Sequence, residues 1–256
     1  MSSAFDKLAR PVQKWVRSKG WRELRQIQAD SVHVVMDGNA DLIVSASTAG
    51  GKTEAAFLPL ISQVLDAPSE RDGFDLVYIG PLKALITDQA MRLEDICREA
   101  GLPVYPWHGD VSGSVKARAL KAPRGILLIT PESLEALFVR RGLEIPRLFG
   151  ATRAVVIDEL HSVLDSERGV QMRSLLTRLE IAVKRPIRRV GLSATLGDMN
   201  MASAYLRPDN AEAVQLIEAK GGEAELLLQL RGYVSGGIRT FKGIPYGADT
   251  SGRNRF

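Results

Sequence analysis

Between Asp41 and Leu196, short apolar runs alternate with longer stretches in which apolar residues recur at helical spacing. The apolar runs predict six strands, over residues 41–45, 76–80, 104–108, 125–130, 154–158 and 189–193. The longer stretches predict six helices, at about residues 53–65, 82–100, 112–121, 131–139, 168–184 and 198–205. This alternation is typical of an α/β fold with a mostly parallel sheet and helices on both of its faces.

The pattern changes on either side of this region. Residues 11–18 predict a helix that has proline in its first turn and is followed by glycine, and we expect its apolar face to dock on the core. After Asp209, the runs at 214–218 and 225–234 are strand-like, whereas residues 236–256 have no helical period and are typical of a loosely held tail. We therefore predict four segments: N-terminal helices at 1–40, an α/β domain at 41–209, a strand-like linker region at 210–235 and an irregular tail at 236–256.

Composition places few limits on function. The chain has 256 residues and a formal net charge of +4 at pH 7, so it can bury a sizeable core and is only mildly basic. That charge permits a nucleic-acid partner without demanding one. Cys97 is the only cysteine, which excludes an intrachain disulfide and a cysteine-rich zinc site and favours a reducing compartment, the cytoplasm. No apolar run reaches the length of a membrane span, so we expect no membrane partner.

The stretch Ala46-Ser47-Thr48-Ala49-Gly50-Gly51-Lys52-Thr53 lies between the first predicted strand and the helix that follows it. Backbone N–H groups around Gly50 and Gly51, together with the positive end of the helix dipole, can surround a phosphate. Lys52 is then placed to reach β and γ phosphates, and the Thr53 hydroxyl to bind Mg²⁺. The alternative is an ordinary glycine-containing turn before Lys-Thr, and the first position carries alanine where the general pattern has glycine.

A second candidate group follows the apolar run Ala154-Val155-Val156-Ile157, which ends in Asp158 and Glu159. Burial of two carboxylates is costly unless a cation or a chain of waters satisfies them. We expect Asp158 to hold Mg²⁺ through water, and Glu159 to orient or deprotonate the water that attacks a γ-phosphate. The alternative is a plain helix N-terminus, where the helix dipole favours acidic residues.

His161 and the stretch Ser193-Ala194-Thr195 are weaker candidates. His161 either links the carboxylates to Ser193-Ala194-Thr195 or is a polar residue satisfied by its surroundings. Serine and threonine there are equally explained as a cap of the helix that begins near Asp198. Since ligands of a parallel sheet bind beyond the carboxyl ends of its strands, we expect all these residues at one edge with the glycine-containing loop.

Taken in this order, the stretches 46–53, 158–161 and 193–195 resemble motifs I, II and III of superfamily 2 helicases of the DEAD/DEAH type. Other stretches resemble the remaining motifs of that superfamily: residues 20–28 the glutamine element that reads adenine, 81–85 motif Ia, 108–110 the glycine-containing motif that follows it, and 130–134 motif Ib. Within the superfamily, Pro81-Leu82-Lys83-Ala84-Leu85, Trp107-His108-Gly109-Asp110 and Asp158-Glu159-Leu160-His161 are most similar to large helicase-related (Lhr-type) DNA helicases. The resemblance covers about residues 11–205.

The resemblance implies a RecA-like P-loop NTPase domain that uses ATP and Mg²⁺. By position it implies adenine contact by Gln28, phosphate contact by residues 47–53, Mg²⁺ binding by Thr53 and Asp158, and catalytic roles for Lys52, Asp158 and Glu159. It implies contact with a nucleic-acid backbone by Pro81, Lys83, Gly109, Thr130, Pro131 and Ser133, and coupling of the two sites by His161, Ser193 and Thr195. Turns at helix N-termini do offer amides, hydroxyls and positive charge to phosphates, although Lys83 is also explained as a solvated surface charge and Thr130 as a helix start.

Motors of superfamily 2 need a second RecA-like domain, and about sixty residues after Thr195 are too few to form one. We therefore expect the first motor domain of a helicase, truncated or dependent on a partner chain, that binds ATP and nucleic acid but is poorly active alone. DNA is favoured over RNA as the partner, either single- or double-stranded. The alternatives are an RNA helicase and a non-catalytic nucleic-acid-binding or interaction module.

The tail carries a second, weak resemblance. The stretch from Gly236 to Tyr246 and the terminal Arg253-Asn254-Arg255-Phe256 are similar to an N-terminal stretch of type B carboxylesterases. No Gly-x-Ser-x-Gly sequence occurs in the chain, so esterase chemistry has no nucleophile elbow. We interpret the tail as a chance match or a fusion scar.

Overall fold

In the computed structural model of this chain, the described residues are 3–47, 50–194 and 198–219, together with the backbone of residues 233–235 and 238–240. They belong to two compact units, Met1–Ala219 and Lys220–Phe256. The predicted strand-like run at 225–234 and the predicted tail lie largely outside the described residues, and the division into four segments stays a prediction.

The first unit is built on a sheet of seven parallel strands in the order β3-β4-β2-β5-β6-β1-β7. These strands are β1 (Leu42–Ser45), β2 (Leu76–Ile79), β3 (Val104–Trp107), β4 (Ile126–Ile129), β5 (Ala154–Ile157), β6 (Arg188–Ser193) and β7 (Gln215–Glu218). In the second unit, β8 (Tyr233–Ser235) and β9 (Ile238–Thr240) form an antiparallel pair. The predicted α/β fold with a parallel sheet is confirmed.

Helices cover both faces of the sheet. Among the described residues they are α1 (Arg10–Ser18), α2 (Gln26–Asp37), α3 (Lys52–Asp66), α4 (Lys83–Ala100), α5 (Gly113–Lys121), α6 (Pro131–Arg141), α7 (Ile145–Leu148), α8 (Glu167–Val183) and α9 (Met199–Leu206). Short 3₁₀ helices lie at Ala4–Lys7, Gly142–Glu144, Leu160–Ser162 and Pro208–Ala213. None of the helices in this part of the chain has the length and apolar character needed to cross a membrane.

Alternate residues of the central strands β1, β2, β4 and β5 enter two separate apolar layers. Leu42 and Val44 of β1 pack with α1 to α4 on one face, whereas Ile43 packs with α5 to α9 on the other. Strands buried on both faces are read as continuous apolar runs, which explains why the sequence marks them so clearly. Polar residues lie mainly at the two sides of the sheet where the strands begin and end. We call the edge where the strands end the carboxyl edge, and the opposite one the amino edge.

Arginines at the amino edge bond the carbonyl groups at which helices end. Arg188 Nη1 donates to Val35 O of α2 at 3.3 Å, and Arg189 Nη1 donates to Leu206 O of α9 at 2.8 Å. The carbonyl ends of helices carry partial negative charge, which a guanidinium neutralises while it completes their hydrogen bonds. Part of the mild basic charge of the chain is therefore used by the fold itself.

A part-buried ionic network also lies at the amino edge. Glu180 of α8 accepts from Arg189 Nη2 at 2.6 Å and from Arg207 Nη1 at 2.9 Å, and Arg207 also pairs with Asp41 at 2.5 Å. Asp41 precedes β1, Arg189 belongs to β6, and Arg207 follows α9. The network therefore ties the start of β1 to α8, β6 and the end of α9, which lie about 140 or more residues later in the chain.

Candidate functional site

The glycine-containing loop lies at the carboxyl edge, between β1 and α3. Gly51 precedes α3 with φ of +82°, a left-handed conformation that favours glycine. A Cβ atom at Gly51 would lie 2.8 Å from Gln28 Nε2, and one at Gly50 would lie 2.6 Å from the Ala46 Cβ. Both positions therefore exclude a side chain. Thr48 and Ala49 of this loop lie outside the described residues.

The start of α3 is open to an anion. No side chain among the described residues caps its first turn, so the N–H groups there remain available. Lys52 Nζ turns back to the same loop and donates to Ala46 O at 2.6 Å and to Ser47 O at 3.1 Å. Burial lowers the pKa of Lys52, and the nearby carboxylates of Glu159 and Asp158 act in the opposite direction. An ammonium group and two carboxylates thus share one small volume at the end of the loop.

Two further predicted residues contact this loop. Gln28 of α2 is 2% exposed, its Oε1 accepts from Arg25 N at 3.0 Å, and its Nε2 faces Gly51. Thr53 Oγ1 donates to Gln89 Oε1 of α4 at 3.2 Å in a buried position. The loop is therefore flanked by an amide side chain on one side and a buried hydroxyl on the other.

The two carboxylates follow β5 and differ in their surroundings. Asp158 is 8% exposed, and its Oδ1 accepts from Glu159 N at 2.9 Å. Its Oδ2 accepts a hydrogen bond from the hydroxyl of Tyr78 on the neighbouring strand β2. Burial and the charge of Asp158 raise the pKa of Tyr78, which therefore remains a donor. Glu159 has a positive φ of 51°, which is uncommon outside glycine, and its side chain is more exposed than that of Asp158.

Sequence reasoning missed Tyr78. The only available signal was one polar-tipped aromatic residue within the otherwise aliphatic run Leu76-Val77-Tyr78-Ile79. A buried tyrosine hydroxyl needs a partner, but the sequence does not say which strand supplies it. The structure identifies Asp158.

Tyr78→Phe is expected to lower the free energy of unfolding by about 1–3 kcal/mol, because it leaves a buried carboxylate oxygen of Asp158 without its donor. Urea unfolding measures the change. Tyr105→Phe is the matched control, since the Tyr105 hydroxyl on β3 makes no hydrogen bond with the described residues. Equal effects of the two substitutions would contradict a stabilising role for the Tyr78 hydroxyl.

His161 lies between Glu159 and the end of β6. Its Nε2 is 3.3 Å from Glu159 Oε2, and its Nδ1 is 3.1 Å from Ser193 Oγ. Ser193 therefore contacts His161, whereas the cap of α9 is Asp198, whose side chain accepts from Met201 N. Thr195 lies outside the described residues.

A second polar group surrounds the turns after β2, β3 and β4. Lys83 Nζ is 3.1 Å from both carboxylate oxygens of Asp110, beside Gly109. Thr130 caps α6, and its Oγ1 accepts from Ser133 N at 3.3 Å. Pro131 occupies the first turn of α6.

The turn after β2 and the start of α6 are joined by a residue that sequence reasoning did not single out. Arg168 Nη2 donates to Pro81 O at 2.6 Å and lies 2.7 Å from Glu132 Oε1. The predicted site residues thus form two groups at the carboxyl edge, one around Lys52 and Asp158 and one around the turns after β2 to β4.

Comparison with known proteins gives concordant results for sequence and structure. The family described as DEAD/DEAH box helicase matches residues 25–203. The Lhr helicase/probable uracil glycosylase of Mycolicibacterium smegmatis is 32% identical over 192 residues, which are 70% of this chain and 12% of the relative. The ATP-dependent helicase Lhr-Core of Methanothermobacter thermautotrophicus is 32% identical over 209 residues, 76% of this chain and 24% of the relative.

Among solved structures, the Mycobacterium smegmatis helicase Lhr bound to ssDNA and AMP-PNP matches with a TM-score of 0.71 and 26% identity. The match covers 85% of this chain and 28% of that structure. This chain therefore spans only a quarter or less of the two curated relatives and a similar share of the solved helicase. The predicted Lhr-type resemblance and RecA-like fold are confirmed. Because the family match covers most of its length, this chain belongs to the DEAD/DEAH box helicase family.

Proposed function

We propose that this chain is the ATP-binding first motor domain of a superfamily 2 helicase of the Lhr type that acts on nucleic acid, with DNA preferred over RNA. One observation carries the proposal. Lys52, the open N-terminus of α3 and the pair Asp158 and Glu159 converge at the end of a loop that excludes side chains at two positions. This combination of donors and carboxylates suits a nucleotide triphosphate with its cation.

Each group has a distinct part in nucleotide binding. The N–H groups of the loop and the Lys52 ammonium bind phosphate oxygens. To do so, Lys52 gives up its hydrogen bonds to Ala46 O and Ser47 O and donates to phosphate oxygens instead. Gln28 reads the adenine edge with its amide. Glu159 holds and orients the attacking water, and His161 ties Glu159 to Ser193.

Thr53 and Asp158 are the residues that would hold Mg²⁺. Among the described residues, no group of three or more His, Cys, Asp or Glu forms a metal site, so phosphate oxygens must complete the coordination. Bound Mg²⁺ neutralises charge on the phosphates. Asp158 is held for this purpose by the N–H of Glu159 and the hydroxyl of Tyr78.

The turns after β2, β3 and β4 bind the backbone of one nucleic-acid strand. Lys83 and the helix N-terminus at Thr130 offer positive charge, N–H groups and hydroxyls, which bind phosphates without reading bases. Pro81, Gly109, Pro131 and Ser133 shape the same surface. ATP and nucleic acid meet in the cytoplasm, where we place the protein.

Unwinding requires more than this domain. An arginine supplied across the ATP site from a second RecA-like domain completes such motors, and we propose that a second domain or a partner chain supplies it. The second candidate function is a non-catalytic nucleic-acid-binding or interaction module, and the mildly basic net charge of +4 favours it.

Binding of single-stranded DNA by the full chain, with and without AMP-PNP and Mg²⁺, tests the proposal. A motor domain is expected to change its DNA affinity about fivefold or more on nucleotide binding, because the two ligands are coupled. The affinity is also expected to fall as salt rises. An RNA strand of the same sequence is expected to bind more weakly. DNA affinity that is the same with and without nucleotide would favour the non-catalytic module. Failure of the chain to bind either DNA or AMP-PNP would reject both functions.

A further inference from the structure

Arg168 connects two turns that belong to different strands. One nitrogen, Nη2, donates to Pro81 O in the turn after β2 and pairs with Glu132 in the first turn of α6, which follows β4. β2 and β4 are neighbours in the sheet. The two turns therefore lie side by side at the carboxyl edge, and Arg168 bonds both.

The chain around Arg168 leaves its backbone little freedom. Ser166 caps α8 by accepting from Gly169 N at 3.1 Å, and Tyr205 of α9 donates to Gly169 O at 2.8 Å. A Cβ atom at Gly169 would lie only 1.7 Å from Val163 O. The first turn of α8 is thus packed so closely on the preceding loop that only glycine fits beside Arg168.

The contacts of Arg168 are of the strong kind. A guanidinium that bonds a carbonyl and a carboxylate makes charge-assisted hydrogen bonds, and its planar shape fixes the direction of each. Glu132 is 59% exposed and Arg168 35%, so the ion pair with Glu132 alone would be worth little. The part-buried bond to Pro81 O gives the arrangement its rigidity.

We propose that Arg168 is a positioning residue that holds the turn after β2 and the N-terminus of α6 at one fixed spacing, so that both bind phosphates of the same strand. Without it, each turn must be ordered when nucleic acid binds, and that ordering costs affinity. Arg168 also pairs with the carboxylate of Glu132, which otherwise repels phosphates. The inference rests on the proposed binding of nucleic acid at this edge.

Arg168→Met tests the inference, because methionine keeps much of the apolar stem and removes every donor. Arg173→Met is the matched control. Arg173 lies on the same helix, its guanidinium is 5.8 Å from the Tyr205 ring centre, and its loss changes the net charge equally. We expect Arg168→Met to weaken single-stranded DNA binding by the full chain about tenfold, and Arg173→Met to leave it near the wild-type value. Affinity for AMP-PNP with Mg²⁺ should match the wild type in both.

The salt dependence separates positioning from direct contact. If Arg168 positions other groups, the slope of log affinity against log salt stays at the wild-type value while the affinity falls. If Arg168 itself binds a phosphate, the slope falls by about 0.7, as expected for one lost contact with a single strand. That result would overturn the positioning role, as would unchanged DNA affinity in Arg168→Met.

Amide hydrogen exchange provides a readout that does not need DNA. In Arg168→Met, exchange is expected to accelerate about tenfold in the first turns of α4 and α6, and to remain unchanged in Arg173→Met. Glu132→Gln removes a surface partner with little risk to folding, and it should accelerate exchange in α6 more than in α4. Exchange rates at the wild-type value in both Arg168→Met and Glu132→Gln would overturn the inference. Failure of the wild-type chain to bind DNA rejects the proposed function instead.

Discussion

Lys52→Ala is expected to weaken ATP binding by at least about 100-fold, equivalent to about 2.7 kcal/mol. The Lys52 ammonium lies at the start of α3 and donates to the loop carbonyls of Ala46 and Ser47. Its charge-assisted bonds to phosphate oxygens have no substitute in the loop, whose remaining donors are neutral N–H groups. Titration of the full chain with a fluorescent ATP analogue in the presence of Mg²⁺ measures the loss.

Lys14→Ala is the control for the change in net charge. Lys14 is 73% exposed on α1 and, among the described residues, pairs only with Glu99 at the surface, so its removal should leave nucleotide affinity and stability near the wild-type values. Circular dichroism and thermal unfolding check that both variants are folded. ATP affinity of Lys52→Ala equal to that of Lys14→Ala would refute the assignment of the loop as a phosphate site.

The strands were predictable because their sequence signal is local. Five of the six predicted strands are buried along their whole length, so an apolar run marks them directly, and the observed bounds differ from the predicted ones by a residue or two. The order of the strands in the sheet is not contained in such runs. It follows from which helix packs on which face, and that depends on contacts between residues far apart in sequence.

The alanine at the first position of the loop shows how structure explains a departure from a general pattern. A Cβ at Gly50 would lie 2.6 Å from the Ala46 Cβ, so the side chain at Ala46 is tolerated because Gly50 has none. The sequence gives both residues but not their proximity.

The partners that sequence reasoning missed are long-range. Tyr78 and Asp158 are 80 residues apart, and Arg168 and Pro81 are 87 apart. A tyrosine in a strand and an arginine in a helix are both common, and no local sequence pattern identifies their partners. Tyr78 reaches Asp158 because β2 and β5 are neighbours in the sheet, and Arg168 reaches Pro81 because α8 packs near the turn after β2.

Glu180→Ala is expected to lower the free energy of unfolding by about 3 kcal/mol, because it leaves the guanidinium of Arg189 buried without its carboxylate. Arg189 is only 6% exposed, whereas Arg207 retains Asp41 as a partner. Glu135→Ala is the control, since Glu135 of α6 pairs with Arg178 of α8 in a more exposed position. Urea unfolding should give that control a loss below about 1 kcal/mol.

The dependence on pH distinguishes a charged network from simple packing. Burial opposes ionisation of Glu180, but the N–H of Ile187 and the guanidinium groups of Arg207 and Arg189 outweigh it and lower the pKa of Glu180. A carboxyl whose pKa is lower in the folded than in the unfolded chain stabilises the protein above its unfolded value, about 4.3, and loses that contribution as pH falls through the folded value. Glu180→Gln is therefore expected to be most destabilising at neutral pH, and its difference from the wild type should shrink as pH falls below about 4.3, where the unfolded wild-type carboxyl takes up its proton. A difference that stays constant from pH 7 to pH 3.5 would mean that the Glu180 charge contributes nothing and that its hydrogen bonds and packing alone hold α8 to β6.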